Sequence, residues 1–204
     1  MSGPEPFKLH AGHPALELVN TLDFRFSGQT VDLIPTYKEL LRFTARLQLL
    51  TPEQGRKLGR TVGEEEGRRV VASTAELREA LARVLYGRID GTGPPARQLQ
   101  LLEQKFHAAS QHRRLVAREA RLEWSWSGTE RQAEIPLWML AQAASDLLVS
   151  SHAGLIKDCG DPTCRWLFLD VSKNHTRRWC DMKTCGNRMK ARRHHQRVKG
   201  EGDS

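Results

Sequence analysis

The chain of 204 residues is short of several things, and each shortage narrows what it can be. No stretch approaches the ~18 apolar residues that cross a bilayer, so no spanning helix and no membrane partner are expected. Met1 to His10 lack a basic start followed by an apolar run, so no secretory signal is expected, and the cytoplasm is the expected location. There is no Gly-x-Ser-x-Gly, no phosphate-cradling Gly-rich loop and no His-Glu-x-x-His, so the chain is not expected to be an enzyme. The first 158 residues contain no cysteine, which removes both a thiol nucleophile and a disulfide framework from them. No internal repeat suggests a solenoid. Acids, finally, are almost missing from one stretch: between Lys173 and Lys199 only Asp181 is found.

All four cysteines fall within the 27 residues that follow that cysteine-free part, as two pairs of equal spacing, Cys159-x4-Cys164 and Cys180-x4-Cys185. Four unrelated buried cysteines, or two disulfides, are the plain alternatives. Pairing and clustering together favour one structural Zn²⁺ held by Cys159, Cys164, Cys180 and Cys185, since zinc takes four soft ligands at ~2.3 Å. A tight turn must bring each pair together. Gly160 and Pro162 suit the first turn, and Gly186, directly after Cys185, allows a close backbone approach in the second. Four equivalent sulfurs close the shell, which argues for a structural ion over a catalytic one. The bound thiolates would carry excess negative charge, and Arg177, Arg178, Lys183 and Arg188 are placed to offset it.

The charge is unevenly spread. The segment from Lys173 to Lys199 holds ten Lys or Arg (173, 177, 178, 183, 188, 190, 192, 193, 197, 199) against Asp181, a net +9. The whole chain carries +8, so the remainder is about −1. A near-neutral body with a cationic tail is the asymmetry of a polyanion binder.

The pattern predicts a mainly α body with a small antiparallel β-ribbon, an α+β chain, over 1–150, followed by a C-terminal four-cysteine zinc-finger module with its basic tail over 151–204. Leu16 to Thr21 reads as either a helical turn or a short strand. Pro35 opens a helix with Leu40, Phe43 and Leu47 on one side. Thr51-Pro52-Glu53-Gln54 has the form of a capping box. Leu77, Leu81, Val84, Leu85 and Ile89 keep the helical period up to Gly91, and Pro94-Pro95 opens another helix. Leu122, Trp124 and Trp126 alternate with polar residues, which predicts a strand turning at Ser127-Gly128, with Leu115 to Ala117 as a further strand. Pro136 opens the strongest helix, with Leu137, Leu140, Ala141, Ala144, Leu147 and Leu148 as a stripe for the centre of the core. Trp166 to Leu169 reads as a short strand inside the cysteine module.

Several motifs are similar to a known module. Phe168-Leu169-Asp170-x-Ser172, Arg177-Arg178-Trp179-Cys180, the unaltered Cys185-Gly186-Asn187-Arg188 and Lys190-Ala191-Arg192 resemble the CGNR zinc finger. Asn20-Thr21, within Leu16 to Asp23, resembles the start of the ABATE domain, with Glu17 in place of Asp and Leu18 in place of an aromatic residue. The resemblance implies a bacterial stress-induced transcription regulator: a DNA-binding finger behind a domain with a proposed regulatory or ligand-sensing role.

A helix starting near Cys185 would place Arg188, Arg192, His195 and Lys199 along one face. Arg177, Arg178, Lys183, Asn187, Arg188, Lys190, Arg192, Arg193 and Arg197 are the candidate nucleic-acid-binding residues, with double-stranded DNA as the expected partner. Asn187 has a second reading as a local backbone cap. Asp170 is expected to hold Arg177 or Arg178, Ser172 to cap a short helix, and Trp166 and Trp179 to pack a small core. In the body, Asn20 and Thr21 are candidates for a ligand pocket for a small-molecule effector, and a homodimer is a further expectation. His10-x-x-His13 could pair on a metal, though a disordered N-terminal segment is the simpler expectation. Two other functions stay open: an RNA- or ribosome-associated protein using the same tail, and a small-molecule-binding or enzymatic body with the finger as scaffold.

Overall fold

Prolines and threonines mark most helix starts in this chain. The computed structural model describes residues 7–119, 121–126 and 132–202, with side chains described up to Gln196. α1 is Pro14–Asn20, capped by His13, whose Nδ1 accepts from the Ala15 N–H. β1 (Leu22–Asp23) and β2 (Val31–Asp32) pair antiparallel. α2 (Tyr37–Arg46) begins at Thr36, whose hydroxyl accepts from the Glu39 N–H. α3 (Pro52–Thr61) has both halves of the capping box: Gln54 N–H to Thr51 Oγ1 at 3.2 Å, and Thr51 N–H to Gln54 Oε1 at 2.9 Å. α4 (Glu64–Ile89) opens with three glutamates, favourable at a helix N-terminus, and two of them pair with Arg68 and Arg69 one turn on. It ends just before Gly91, whose φ of +72° turns the chain away. α5 is Ala96–Ser110, and the ribbon follows as β3 (Arg113–Arg118) and β4 (Arg121–Trp126).

α6 (Ile135–Val149) lies at the centre. Nine of its residues are buried, and α1, α2, α4 and α5 all pack against it. Leu140, Ala141 and Ala144 are wholly enclosed, as are Leu16 and Leu18 of α1 and Leu77 and Leu81 of α4. Each such leucine contributes on the order of 2 kcal/mol through burial. A short 3₁₀ turn (Ser151–Leu155) leads into β5 (Ile156–Asp158), which pairs antiparallel with β6 (Leu167–Leu169). A π-helical turn (Met182–Gly186) then runs directly into α7 (Asn187–Gly202).

Two expectations need correction. β4 forms its hairpin with β3, in register from Arg113↔Trp126 to Arg118↔Arg121, so the turn of the ribbon precedes β4. Glu119, at φ +51°, enters that turn, while Ser127-Gly128 lies outside the described residues. The segment before α1 is also ordered where it is described. Phe7 is buried with its ring centroid 5.2 Å from Phe43, and Ala11 is wholly enclosed. The open choice at Leu16 to Thr21 falls to helix, because α1 buries six consecutive residues among other helices.

β6 joins the two halves of the chain. Successive side chains of a strand point to opposite faces. Leu167 and Leu169 therefore enter the core of the helical body, and Phe168 between them packs beside the cysteines.

Candidate metal centre and basic helix

The two knuckles that hold the sulfurs are built by short-range hydrogen bonds. In the first, Asp161 accepts from the Thr163 N–H (3.1 Å) and hydroxyl (2.8 Å), folding 159–164 into a turn. In the second, Asp181 accepts from the Lys183 N–H (3.0 Å) and the Thr184 hydroxyl (3.1 Å), starting the π turn that carries Cys185. Gly186 leaves room there: a Cβ would lie 2.4 Å from Met182 Sδ and 3.2 Å from Trp179 Cδ1, so the Met182 side chain would have to move. The close approach expected of this glycine is thus to Met182 and Trp179.

These turns bring Cys159, Cys164, Cys180 and Cys185 together, all four Sγ atoms within 4.8 Å of one another. Cys164 and Cys180 are 3.6 Å apart, Cys180 and Cys185 3.7 Å. A disulfide needs ~2.05 Å, so all four are free thiols. A tetrahedral ion with bonds of ~2.3 Å spaces its sulfurs by ~3.8 Å, so the four cysteines fit one zinc ion. The thiols of Cys159, Cys164 and Cys180 interact strongly with one another. Hydrogen bonds from Cys164 and Cys180 pull the Cys159 thiol down to about 2, while sharing with Cys159 pushes Cys164 and Cys180 well above the ordinary thiol range. A divalent cation at the centre would be shared by all four sulfurs in place of such protons.

The surroundings suit a negative centre. Arg188 donates from Nη2 to Cys185 Sγ at 3.2 Å and from Nε to Asp161 Oδ2 at 2.6 Å, and Arg192 reaches Asp161 at 3.6 Å. Asp161 is fully buried. Burial pushes its carboxyl up, but the bonds from Thr163 and Arg188 outweigh this and hold it below the ordinary value. Asp161 escaped the sequence reading. Its only signal there was an acid two residues after a knuckle cysteine, opposite a basic helix 27 residues on.

The candidate nucleic-acid residues divide into two groups. Arg177 is built into the finger, donating to the carbonyls of Trp179 (2.9 Å), His10 (2.9 Å) and Cys180, and lying over the Phe168 ring. Arg188 and, more weakly, Arg192 turn towards Asp161, so the face that begins with these two residues points inward at its root. Asn187 donates to the Lys183 carbonyl at 3.1 Å, a local backbone bond. By contrast Lys183, Lys190 and Arg193 are exposed, with no ion pair among the described residues, and exposed Arg178 lies over the Trp179 ring. The Arg197 side chain, like that of Lys199, lies outside the described residues. Asp170 does not grip an arginine side chain. It accepts from Lys157 Nζ (2.7 Å), the Arg177 backbone N–H (3.0 Å) and the Ser172 hydroxyl, and no helix follows Ser172. Trp166 and Trp179 pack against the cysteines as core residues.

Asn20 and Thr21 serve packing. Asn20 is buried, and its amide reads the backbone of β6 in both directions: Nδ2 donates to the Leu167 carbonyl and Oδ1 accepts the Leu167 N–H, each at 2.9 Å. Thr21 Oγ1 donates to the Leu18 carbonyl and accepts from Arg78, a buried arginine clamped on both oxygens of Asp32 at 2.8 Å. The cavity at Asn20 and Thr21 measures about 10 Å³, room for no more than a water, so the expected ligand pocket is not there. His13 caps α1, and the four cysteines are the only potential metal cluster among the described residues. The junction with the body continues through Trp166 Nε1 to Asp23 (3.0 Å), Tyr86 hydroxyl to the Arg165 carbonyl (2.8 Å) and Arg165 to Asp90 (2.6 Å). No described helix is long and apolar enough to cross a membrane.

Two family models match the chain, end to end along most of its length. Residues 12–151 match the ABATE model, described as "Putative stress-induced transcription regulator". Residues 156–198 match the CGNR zinc finger. No curated protein matches the chain.

Proposed function

The chain belongs to the ABATE family and ends in a CGNR zinc finger, and on that premise we propose that it is a transcription regulator whose finger binds double-stranded DNA. One observation carries this reading. α7 leaves the four-cysteine centre as a helix with a cationic, exposed surface, and its first turn contains no acid. Lys190 and Arg193 stand one turn apart, and Lys183 and Arg178 continue the charge onto the finger. A helix of 16 residues is ~24 Å long, enough to lie along a groove. The free cations contact phosphates, while Arg177 and Arg188, tied to the finger, set the angle at which α7 leaves it. The reading requires no enzymatic step. It is completed by a small-molecule effector on the helical body and by a homodimer that presents two fingers to a two-fold operator.

The test is fluorescence polarisation of the zinc-loaded chain with genomic duplexes at two salt concentrations. With about five phosphates neutralised, log K falls with log salt at a slope of about −4 to −5. Failure to bind any duplex at low salt sinks the reading. Preference for structured RNA replaces DNA with RNA as the partner.

A further inference from the structure

Away from the finger, α2, α3 and α4 enclose a groove of about 1020 Å³ that the roles assigned so far leave unused. Its floor is apolar: Leu41 and Ala45 of α2, Val62, and Val71 and Ala72 of α4. The rim is cationic, with Lys38, Arg42, Arg56, Arg60 and Arg68 against the single acid Glu64. Arg42 and Arg68 are paired with Glu39 and Glu64. Lys38, Arg56 and Arg60 are exposed, and their side chains make no hydrogen bond or ion pair among the described residues.

The glycines of α3 sharpen the picture. A glycine inside a helix is unfavourable against alanine and is usually explained by close packing. At Gly59 a Cβ would meet Leu41 at 3.6 Å, an ordinary contact that leaves room for alanine. Gly55, one turn earlier on the same face, has no packing explanation, since a Cβ there would meet nothing within 4 Å; Gly63, where a Cβ would also meet nothing, is the N-cap of α4, a position that suits glycine. Both line the groove. What these glycines achieve is empty space, bounded by apolar side chains and edged by three unpaired cations.

We propose that this groove binds a free aliphatic carboxylate, with the alkyl chain laid over Leu41, Val62 and Val71 beside Gly55 and the carboxylate at Arg56 and Arg60. The apolar floor accounts for the chain, and the unpaired cations account for the charge: arginine offers a carboxylate paired N–H donors, and its attraction is stronger beside an apolar surface than in open water. The inference rests on the reading of the body as the sensing half of the molecule, but its site and chemistry are tested without nucleic acid.

Calorimetric titration of the full, zinc-loaded chain with decanoate, decanol and acetate separates chain from charge. Decanoate is expected to bind saturably and at least about tenfold more tightly than either of the others. Gly55→Leu fills the groove with a good helix former and is expected to abolish binding while helicity and zinc content stay unchanged. Arg60→Glu is expected to weaken it by about tenfold, and Arg60→Lys to retain most of it. Equal binding of decanoate and decanol overturns the proposal. So does undiminished decanoate binding by a folded Gly55→Leu chain, or capture of an acidic amphipathic peptide in place of decanoate. A chain that binds decanoate but no duplex upholds this inference and refutes the DNA reading; the converse result does the opposite.

Discussion

α6 buries nine residues in hydrocarbon, whereas the finger's own interior holds one fully buried large apolar side chain, Phe168, around four sulfurs, its other buried apolar residues, Ile156, Leu167 and Leu169, being lent to the body. The body resembles an ordinary helical core, with α1, α2, α4 and α5 closing on α6. The finger has too little apolar surface to hold itself, so metal ligation and short hydrogen bonds replace it. The two halves should therefore respond to different insults, and α7, rooted in the second, should inherit its sensitivities.

The largest effect expected is the loss of zinc. Cys180→Ser, or a strong chelator, removes a contribution on the order of 10 kcal/mol to the finger's folding. Metal analysis should fall from about one zinc per chain, and hydrogen exchange should show residues 156–196 opening while α4 and α6 stay protected. Equal loss of protection in both halves would erase the contrast. Leu140→Ala inverts the experiment. It should cost the body about 3 kcal/mol in denaturant melts and leave zinc content unchanged.

Glu17 offers a comparison by pH. Burial raises its carboxyl from 4.5 to about 7, against the N–H donors of Ala11 and Gly12. Because the folded state holds the proton more tightly, the stability gained is full below about pH 4.5 and is lost as pH rises to about 7. The difference amounts to at most about 3 kcal/mol. Glu17→Gln should flatten that slope in melts recorded across the window; an unchanged slope would mean that Glu17 does not titrate there. Asn20→Ala should leave the Leu167 N–H and carbonyl without partners, costing about 2 kcal/mol and loosening finger from body in exchange experiments. The smallest expected effect on stability is that of Lys190→Ala, within about 0.5 kcal/mol. The same variant should reduce the salt slope of DNA binding by about one, whereas removing a cation that serves only the finger should not.

The sequence carried its local features clearly. The capping box at Thr51, the helix opened by Pro136 and the cysteine pairs are each encoded by neighbouring residues, and each appears where it was expected. The turn between β3 and β4 was missed because it uses Glu119 in a left-handed conformation that its residue type does not advertise. The contacts of Asn20, Arg78 and Asp161 were illegible for another reason: their partners lie 147, 46 and 27 residues away. Nothing in a polar residue's immediate neighbours says that it will be buried against so distant a partner. The cationic helix was legible as charge, but not the division between cations that brace the finger and cations that face solvent.

The amide of Asn20 closes a loop of 147 residues onto the backbone of Leu167. On a ribosome, that asparagine waits through the synthesis of the whole helical body before its partner exists. Until β6 arrives, α1 has an unsatisfied amide and an incomplete apolar seat, and closure of so long a loop is slow relative to the local pairing of helices. The chain thus has a built-in order of assembly in which the finger's strand is the last piece of the body. A nascent or truncated chain that stops short of residue 167 would present an open flank to chaperones and proteases.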